Sequence, residues 1–216
     1  MTEAGRAYQA ALSMGTKSAD TPGAVQLAAA LRSAIRLSTG STCSDLVLAD
    51  VARAINVLNE RLEDGAQTSR YPGGQMSTDL TVISRNHPMF GPANPISPPL
   101  VPEIDGGRVR MHVTYGPAYE GPAGVVHGGH IAAGFDGVLA VTGGVNGAGG
   151  LTRTLCIRYR RPVPLGVAVV YEGWVDSTDE RTTFIHGVLR NGDEVCAECK
   201  GEFARRHGAP SNPAAS

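Results

Sequence analysis

The chain has 216 residues, of which 42% are hydrophobic, so it can bury one sizeable core and still carry an extension. A formal net charge of -1 gives no electrostatic reason to expect nucleic acid or an anionic membrane as a partner. No apolar run is long enough to span a bilayer, and the N-terminal region lacks the uninterrupted apolar core of a signal peptide, so we expect a cytoplasmic protein.

Two amphipathic helices are predicted within an N-terminal extension, residues 1–65. Thr21-Pro22 supplies an N-cap and a first helical residue, and this helix ends before Gly40. Ser44 or Asp45 can cap the second helix. The apolar stripes of the two helices are Leu27, Leu31 and Ile35, and Leu48, Val51, Ala52, Ile55, Leu58 and Leu62. Because such stripes need a partner, the extension either buries surface and stiffens an oligomer or forms a lid over a binding channel.

A proline-rich linker arm is predicted for residues 66–104, where six prolines fall between Pro88 and Pro102. Proline removes a backbone donor and interrupts helices, so this arm should run extended across the surface. Residues 108–115 then alternate apolar and polar side chains, as a half-buried strand does. This strand belongs to the main domain, which we place at residues 105–206.

The centre of that domain is predicted to be a glycine turn, His127-Gly128-Gly129-His130, that opens an almost entirely apolar helix. Gly134 and Gly137 each cost about 1 kcal/mol relative to alanine, so burial rather than local propensity must hold the helix. Its one acidic residue, Asp136, lies among small and apolar neighbours. A helix of this kind is typically wrapped by a sheet.

Two features of this helix can perform chemistry. The first turn leaves backbone N–H groups unpaired, and Gly128 and Gly129 allow close approach of an oxygen on which negative charge develops. Asp136 supplies a base. His127 and Asp136 lie on nearly opposite sides of the helix, ~13 Å apart along its axis. Two copies related by a two-fold axis could bring the turn of one to the carboxylate of the other.

Four strands are predicted after the helix, and Asn191-Gly192-Asp193 forms a hairpin turn between the last two. The strands cover residues 151–161, 167–175, 182–190 and 195–204. Cys196 and Cys199 lie in the last strand, where residues three apart point to opposite faces, so we expect reduced, inert thiols and neither a metal site nor a redox cofactor. Residues 207–216 are predicted to be a disordered tail.

The helix and the strand after it resemble the PaaI-type hotdog-fold acyl-CoA thioesterases of the thioesterase superfamily. The residues that carry the resemblance are the histidine and two glycines at 127–129, Asp136 nine positions after the histidine, and a threonine-bearing strand that ends in Tyr159-Arg160-Arg161-Pro162. The resemblance covers roughly residues 105–206. It implies an α+β hotdog fold, in which an antiparallel sheet wraps around a central helix. It also implies a homodimer or a dimer of dimers with the active site across the interface.

The resemblance also implies catalytic roles. Asp136 would act as general base or as nucleophile, and the backbone N–H of Gly128, with that of Gly129, would polarise the thioester carbonyl. His127 either reaches the thioester oxygen or holds the turn by bonding to backbone. Thr152 matches a threonine that, in one branch of the family, faces the carboxylate from the other subunit.

Three further residues are expected to contact the substrate or its coenzyme A. Thr154 lies two residues after Thr152 on the same predicted strand face, so it could take that threonine's place. Arg160 and Arg161 could meet the phosphates of coenzyme A, although arginines on outer strand faces are often only solvated.

The activity that the resemblance implies is hydrolysis of an acyl-CoA thioester to a carboxylic acid and free coenzyme A. A different class of protein remains open: a non-catalytic hotdog domain that binds acyl-CoA as a sensor or carrier. Such a domain would not need a carboxylate at 136. A hydratase on the same fold is a third alternative, distinguished by hydration of an enoyl-CoA without release of thiol. The acyl chain is not specified by any residue pattern.

Overall fold

A single helix packed into a curved antiparallel sheet forms the body of the protein, as a computed structural model describes it for residues 3, 5–10, 22–66, 84–98 and 100–205. The helices are α1 (Pro22–Thr39), α2 (Asp45–Glu63) and α3 (Gly128–Val145). The strands are β1 (Val101–Asp105), β2 (Arg108–Thr114), β3 (Gly150–Tyr159), β4 (Ala168–Thr178), β5 (Thr182–Asn191) and β6 (Glu194–Arg205). A short 3-10 turn, Pro117–Tyr119, lies between β2 and α3.

The sheet has the order β1-β2-β4-β5-β6-β3, and every neighbouring pair is antiparallel. Strands β1 and β3 are therefore its two edges. Between β2 and β3 the chain forms α3, which contacts β2 to β6. This arrangement confirms the predicted α+β hotdog fold with a central helix.

The core lies between α3 and the concave face of the sheet. Phe135, Val138 and Leu139 of the helix are fully buried. On β5 and β6, Gly187 and Gly201 lie so close to the helix that an added Cβ would come within 2.9 Å of Leu139. The absence of side chains at these strand positions therefore lets the helix approach the sheet closely, as a core packed at native density requires.

The close contact between Gly134 and Tyr171 explains why α3 has a glycine in its interior. An added Cβ would overlap the Tyr171 side chain, 2.5 Å from its Cζ, and the Tyr171 hydroxyl is buried 2.9 Å from the Tyr115 hydroxyl. We expect Gly134→Ala to lower the free energy of unfolding by about 1–3 kcal/mol through overpacking, despite the ~1 kcal/mol that alanine gains in helix propensity.

Urea denaturation measures this change, and Gly23→Ala in α1 is the matched control because nothing lies within 4 Å of an added Cβ there. The control should leave stability unchanged or raise it. If Gly134→Ala were also as stable as the wild type, the close contact with Tyr171 would not be what requires the glycine.

The proline-rich segment differs from the predicted surface linker where the structure describes it. Phe90 and Leu100 are buried, at 3% and 1% exposure, and Met89 lies against Gly137 of α3, so this part of the segment covers the central helix. Residues 101–105 form β1, which the sequence did not predict. Pro102 is tolerated there because β1 is an edge strand and has one pairing partner, β2. Residues 67–83, and the predicted tail at 207–216, lie outside the described residues.

Both N-terminal helices form where they were predicted. α1 buries Ala28 and packs on the 3-10 turn. α2 buries no residue within the single chain, and its apolar stripe is exposed, with Leu58 at 55% and Leu62 at 49%. The expected partner of that stripe is therefore absent from the described part of one chain. None of the described helices combines the length and the apolarity needed to cross a membrane.

Candidate active site

The candidate site begins at the N-terminus of α3, where His127 is the N-cap. Its backbone is extended, with φ -62° and ψ 132°, and its Nδ1 atom accepts a hydrogen bond from the Gly129 N–H at 3.0 Å. An imidazole that accepts at Nδ1 carries its proton on Nε2 when neutral. His127 therefore holds the turn by bonding to backbone, which is one of the two roles considered for it. A contact with the thioester oxygen stays a prediction.

This capping leaves one N–H of the first helical turn available. The Gly129 N–H is bonded to His127, and the His130 N–H donates to the His127 carbonyl at 3.0 Å. The Gly128 N–H has no acceptor among the described residues. Of the two predicted donors, Gly128 is thus free to receive a ligand oxygen and Gly129 is occupied by the cap.

Tyr159, at the end of β3, fixes the position of this turn. Its hydroxyl donates to the Gly128 carbonyl at 2.8 Å, and its ring lies 3.4 Å from where a Gly128 Cβ would be. In the sequence, Tyr159 belongs to the Tyr-x-Arg-Pro motif, which by itself predicts no role for its side chain. Its inward position on a strand that follows the helix is the signal that could have indicated this contact.

Asp136, in the middle of α3, lies next to Thr152 near the start of β3. The Thr152 hydroxyl donates to Asp136 Oδ1 at 2.7 Å within one chain, whereas the family resemblance implied a contact across subunits. Asp136 is half-buried and Thr152 is exposed. The hydrogen bond orients the carboxylate and leaves Oδ2 without a partner among the described residues.

One chain does not bring Asp136 to the Gly128 N–H. The two residues are eight positions apart on one helix, about 12 Å along its axis. α3 and β3 contact each other at two places. Tyr159 lies beside Gly128 at one of them, and Thr152 lies beside Asp136 at the other. Within one chain these two groups are therefore too far apart to contact the same bound carbonyl.

Thr154 is not on the face of β3 that the sequence predicted. A β-bulge shifts the register between Thr152 and Thr154, so the simple alternation of side chains fails there. Leu155 points toward Leu139 of α3, whereas Thr154 lines a shallow depression on the outer face of the sheet with His186 and Lys200. The prediction that Thr154 could replace Thr152 is therefore wrong.

Arg160 and Arg161 lie beside the helix N-terminus. They line the Gly128 groove, a cavity of about 420 Å³ formed mainly by Pro122–Ile131 and Tyr159–Val163. Both arginines are ion-paired within the chain, Arg160 with Glu198 at 2.9 Å and Arg161 with Glu194 at 2.7 Å. These pairs are exposed, so each contributes little to stability and an anion can compete for the guanidinium groups.

A second cavity, which no residue pattern in the sequence predicts, lies on the other side of the first turn of α3. This α1 cavity, of about 590 Å³, is formed by α1, residues 95–98 and the segment from Thr114 to Tyr119, with His130 in its wall. Burial raises the pKa of Tyr119, and burial followed by the proximity of His127 lowers the pKa of His130. His130 is therefore mostly neutral at pH 7, since its ordinary value is 6.5.

The two cysteines of the C-x-x-C pattern are buried, and burial raises the pKa of Cys199 to about 12. Its thiol is therefore protonated near neutral pH, and a protonated thiol is a poor nucleophile and metal ligand. No group of three or more His, Cys, Asp or Glu side chains in the described ranges is placed to hold a metal ion.

Sequence comparison matches part of the chain to known proteins. The sequence profile of a family described as "Thioesterase superfamily" matches residues 123–198. Acyl-coenzyme A thioesterase THEM4 of Xenopus laevis is 36% identical over 84 residues, and that of Bos taurus 34% over 92 residues; these matches cover 37% and 42% of this chain. The chain spans little more than a third of those two relatives, 36% and 38% of their lengths.

A solved structure gives a longer match. The crystal structure of a protein described as a thioesterase superfamily protein is 31% identical, covers 86% of this chain and 92% of its own, and superposes with a TM-score of 0.76. Coverage of 86% is more than residues 105–206 account for, so the likeness includes much of the N-terminal extension. This match covers nearly the whole of both chains, and the profile match covers the helix and the strands that carry the site. The chain therefore belongs to the thioesterase superfamily.

Proposed function

We propose that the protein is an acyl-CoA thioesterase that hydrolyses an acyl-CoA thioester to a carboxylic acid and free coenzyme A. The observation that carries the proposal is the Gly128 N–H, which has no acceptor in the described chain at the N-terminus of an 18-residue helix. A free N–H at this end of a helix stabilises negative charge on a bound oxygen. The relatives named acyl-coenzyme A thioesterase support the substrate class.

The active site is proposed to form between two copies that pair through β3. This strand has ten residues and pairs only with β6 among the described strands, so one edge is open, and Leu151 near its start is 72% exposed. A long unprotected edge is a template for a second strand. In an antiparallel pair about a two-fold axis, the Tyr159 end of one β3 lies opposite the Thr152 end of the other.

This pairing would bring the Gly128 N–H of one copy close to the Asp136 carboxylate of the other. Tyr159 touches Gly128 and Thr152 touches Asp136, so each Gly128 would face the Asp136 of the other copy. The dimer thereby removes the separation of about 12 Å that the helix imposes within one chain. Two equivalent sites result, one at each end of the β3 pair.

The chemistry then proceeds through an oxyanion at Gly128. Asp136 takes a proton from a water molecule, whose oxygen adds to the thioester carbon while the carbonyl oxygen becomes negatively charged beside the Gly128 N–H. Collapse of this intermediate breaks the C–S bond, and the coenzyme A thiolate takes up the proton. Direct attack by Asp136, with hydrolysis of the resulting anhydride by water, uses the same two groups. The Thr152 hydroxyl positions the carboxylate in either route.

The coenzyme A portion is assigned to the Gly128 groove. Arg160 and Arg161 line this groove next to the oxyanion position, and guanidinium groups bind phosphate through two parallel hydrogen bonds. Their present carboxylate partners, Glu198 and Glu194, would be exchanged for phosphate oxygens on binding. Because those ion pairs are exposed, the exchange costs little.

Release of free thiol from a panel of short, long and aromatic acyl-CoAs tests the proposed function. We expect at least one member to be hydrolysed with kcat/KM of about 10⁴ M⁻¹s⁻¹ or more, the lower end of the usual range for enzymes. If no member releases thiol and one binds tightly, the sensor or carrier function replaces hydrolysis. Hydration of an enoyl-CoA without thiol release would instead identify a hydratase.

A further inference from the structure

The α1 cavity has the properties of a ligand site, and neither Gly128 nor Asp136 lies in its wall. Its volume of about 590 Å³ lies in the usual range for small-molecule pockets, and most of its wall is apolar, formed by Ile35, Ile96 and Tyr115 among others. The wall comes partly from the N-terminal extension, so the cavity exists only where α1 is packed on the main domain.

The charges of this cavity are unbalanced. Arg32 and Arg36 both line it, and none of the described residues in its wall is acidic. Arg32 donates to the Pro92 and Asn94 carbonyls, at 3.2 Å and 2.8 Å, which are neutral acceptors. Neither arginine forms an ion pair with any described carboxylate, although Arg160 and Arg161 on the opposite side of the turn both do. Arg32 is half-buried and Arg36 is exposed, so a ligand can reach both guanidinium groups, and their unpaired positive charge favours an anionic ligand group.

The α1 cavity adjoins the helical turn that carries Gly128. His130 is in its wall, two residues after Gly128, and at ~100° per residue the two positions are on opposite sides of the helix. The Gly128 groove and the α1 cavity therefore flank one helical turn. Two further rings lie beside His130. The ring centroid of Tyr119 is 5.0 Å from that of His130, and the ring centroid of His127 is 6.0 Å from it.

We propose that the α1 cavity receives the acyl group and selects acyl chains that end in a carboxylate, with Arg36 binding that carboxylate. This inference rests on the proposed function, because it takes the thioester to lie at Gly128. With the coenzyme A portion in the Gly128 groove, the acyl portion extends past His130 into the α1 cavity. Its apolar walls hold the methylene chain, and Arg36 meets the distal carboxylate while Arg32 adds a second positive charge.

Matched substrate pairs test this selection. We expect kcat/KM to be at least 10-fold higher for adipoyl-CoA than for hexanoyl-CoA, and higher for suberoyl-CoA than for octanoyl-CoA, because each pair differs only at the distal end. Arg36→Gln should lower the adipoyl to hexanoyl ratio about 10-fold, and Arg36→Lys should retain most of it. Arg53→Gln, on exposed α2 and paired with Asp50, is the control that leaves the ratio unchanged.

Three results would overturn the assignment. Wild type could show no preference within either pair, or Arg36→Gln could leave the ratio unchanged. The variant could also lower kcat/KM by the same factor for every acyl-CoA, which would place Arg36 against the coenzyme A portion that all of them share.

Binding of non-hydrolysable analogues tests the cavity assignment independently of thioester hydrolysis. The non-hydrolysable thioethers S-(5-carboxypentyl)-CoA and S-hexyl-CoA can be compared by calorimetry whether or not the protein hydrolyses thioesters. Tighter binding of the carboxylated thioether, lost in Arg36→Gln, would support the cavity assignment even if no substrate released thiol. Equal binding of the two thioethers by a protein that does hydrolyse acyl-CoA would overturn the cavity assignment alone.

Discussion

Asp136→Asn is expected to lower kcat/KM for thioester hydrolysis at least about 100-fold, equivalent to about 2.7 kcal/mol of transition-state stabilisation. Asparagine has nearly the same shape and keeps an amide oxygen that can accept the Thr152 hydroxyl. It cannot take a proton from water and is a poor nucleophile, so both routes considered for Asp136 fail. Thiol release by the purified variant, at matched oligomeric state, measures the loss.

Asp105→Asn is the matched control, because this carboxylate is exposed at the end of β1 and lies outside both cavities. It should retain wild-type activity. Hydrolysis that survives Asp136→Asn at a comparable rate would remove Asp136 from the mechanism and leave the reaction class standing. A fall in folding stability alone is distinguished by urea denaturation of both variants.

Local pattern and burial agree in two of the elements that the sequence predicted, β2 and α3. Strict alternation from Val109 to Tyr115 predicted β2, and all four inward side chains are at most 5% exposed. The apolar stretch after Gly128 predicted α3 despite Gly134, because an apolar helix is stabilised by what surrounds it rather than by its own propensity. Asn191-Gly192 predicted the β5–β6 turn, and Gly192 has φ +57° there.

The parts that the sequence did not predict depend on long-range geometry. The bulge before Thr154 changes which face that residue occupies, and no residue type in the strand announces it. β1 contains Pro102, which counts against a strand unless the strand is known to be at an edge. The α1 cavity joins residues from Arg32 to Gly166, and such convergence is a property of the packed chain.

Gly128→Pro is expected to reduce kcat about 10²–10³-fold, because proline removes the single N–H assigned to the oxyanion. The position tolerates proline in other respects. Gly128 is the first residue of α3, where proline is favoured, and His127 before it has the extended backbone that a residue preceding proline adopts. Gly128→Ala is the matched control, since it adds a Cβ in ordinary contact with Tyr159 at 3.4 Å and keeps the N–H. Alanine should change activity only a few-fold.

Mixing the two inactive variants tells whether each site is shared between two copies. A mixed dimer of Asp136→Asn and Gly128→Pro contains one site in which both substitutions meet and one site with an intact Asp136 and an intact Gly128. Random exchange of subunits gives about half mixed dimers, so the mixture should recover about a quarter of wild-type activity. If each site used the Gly128 and the Asp136 of one chain, mixing would recover nothing. The helix makes that second result hard to reconcile with catalysis, because it holds the two groups about 12 Å apart along its axis.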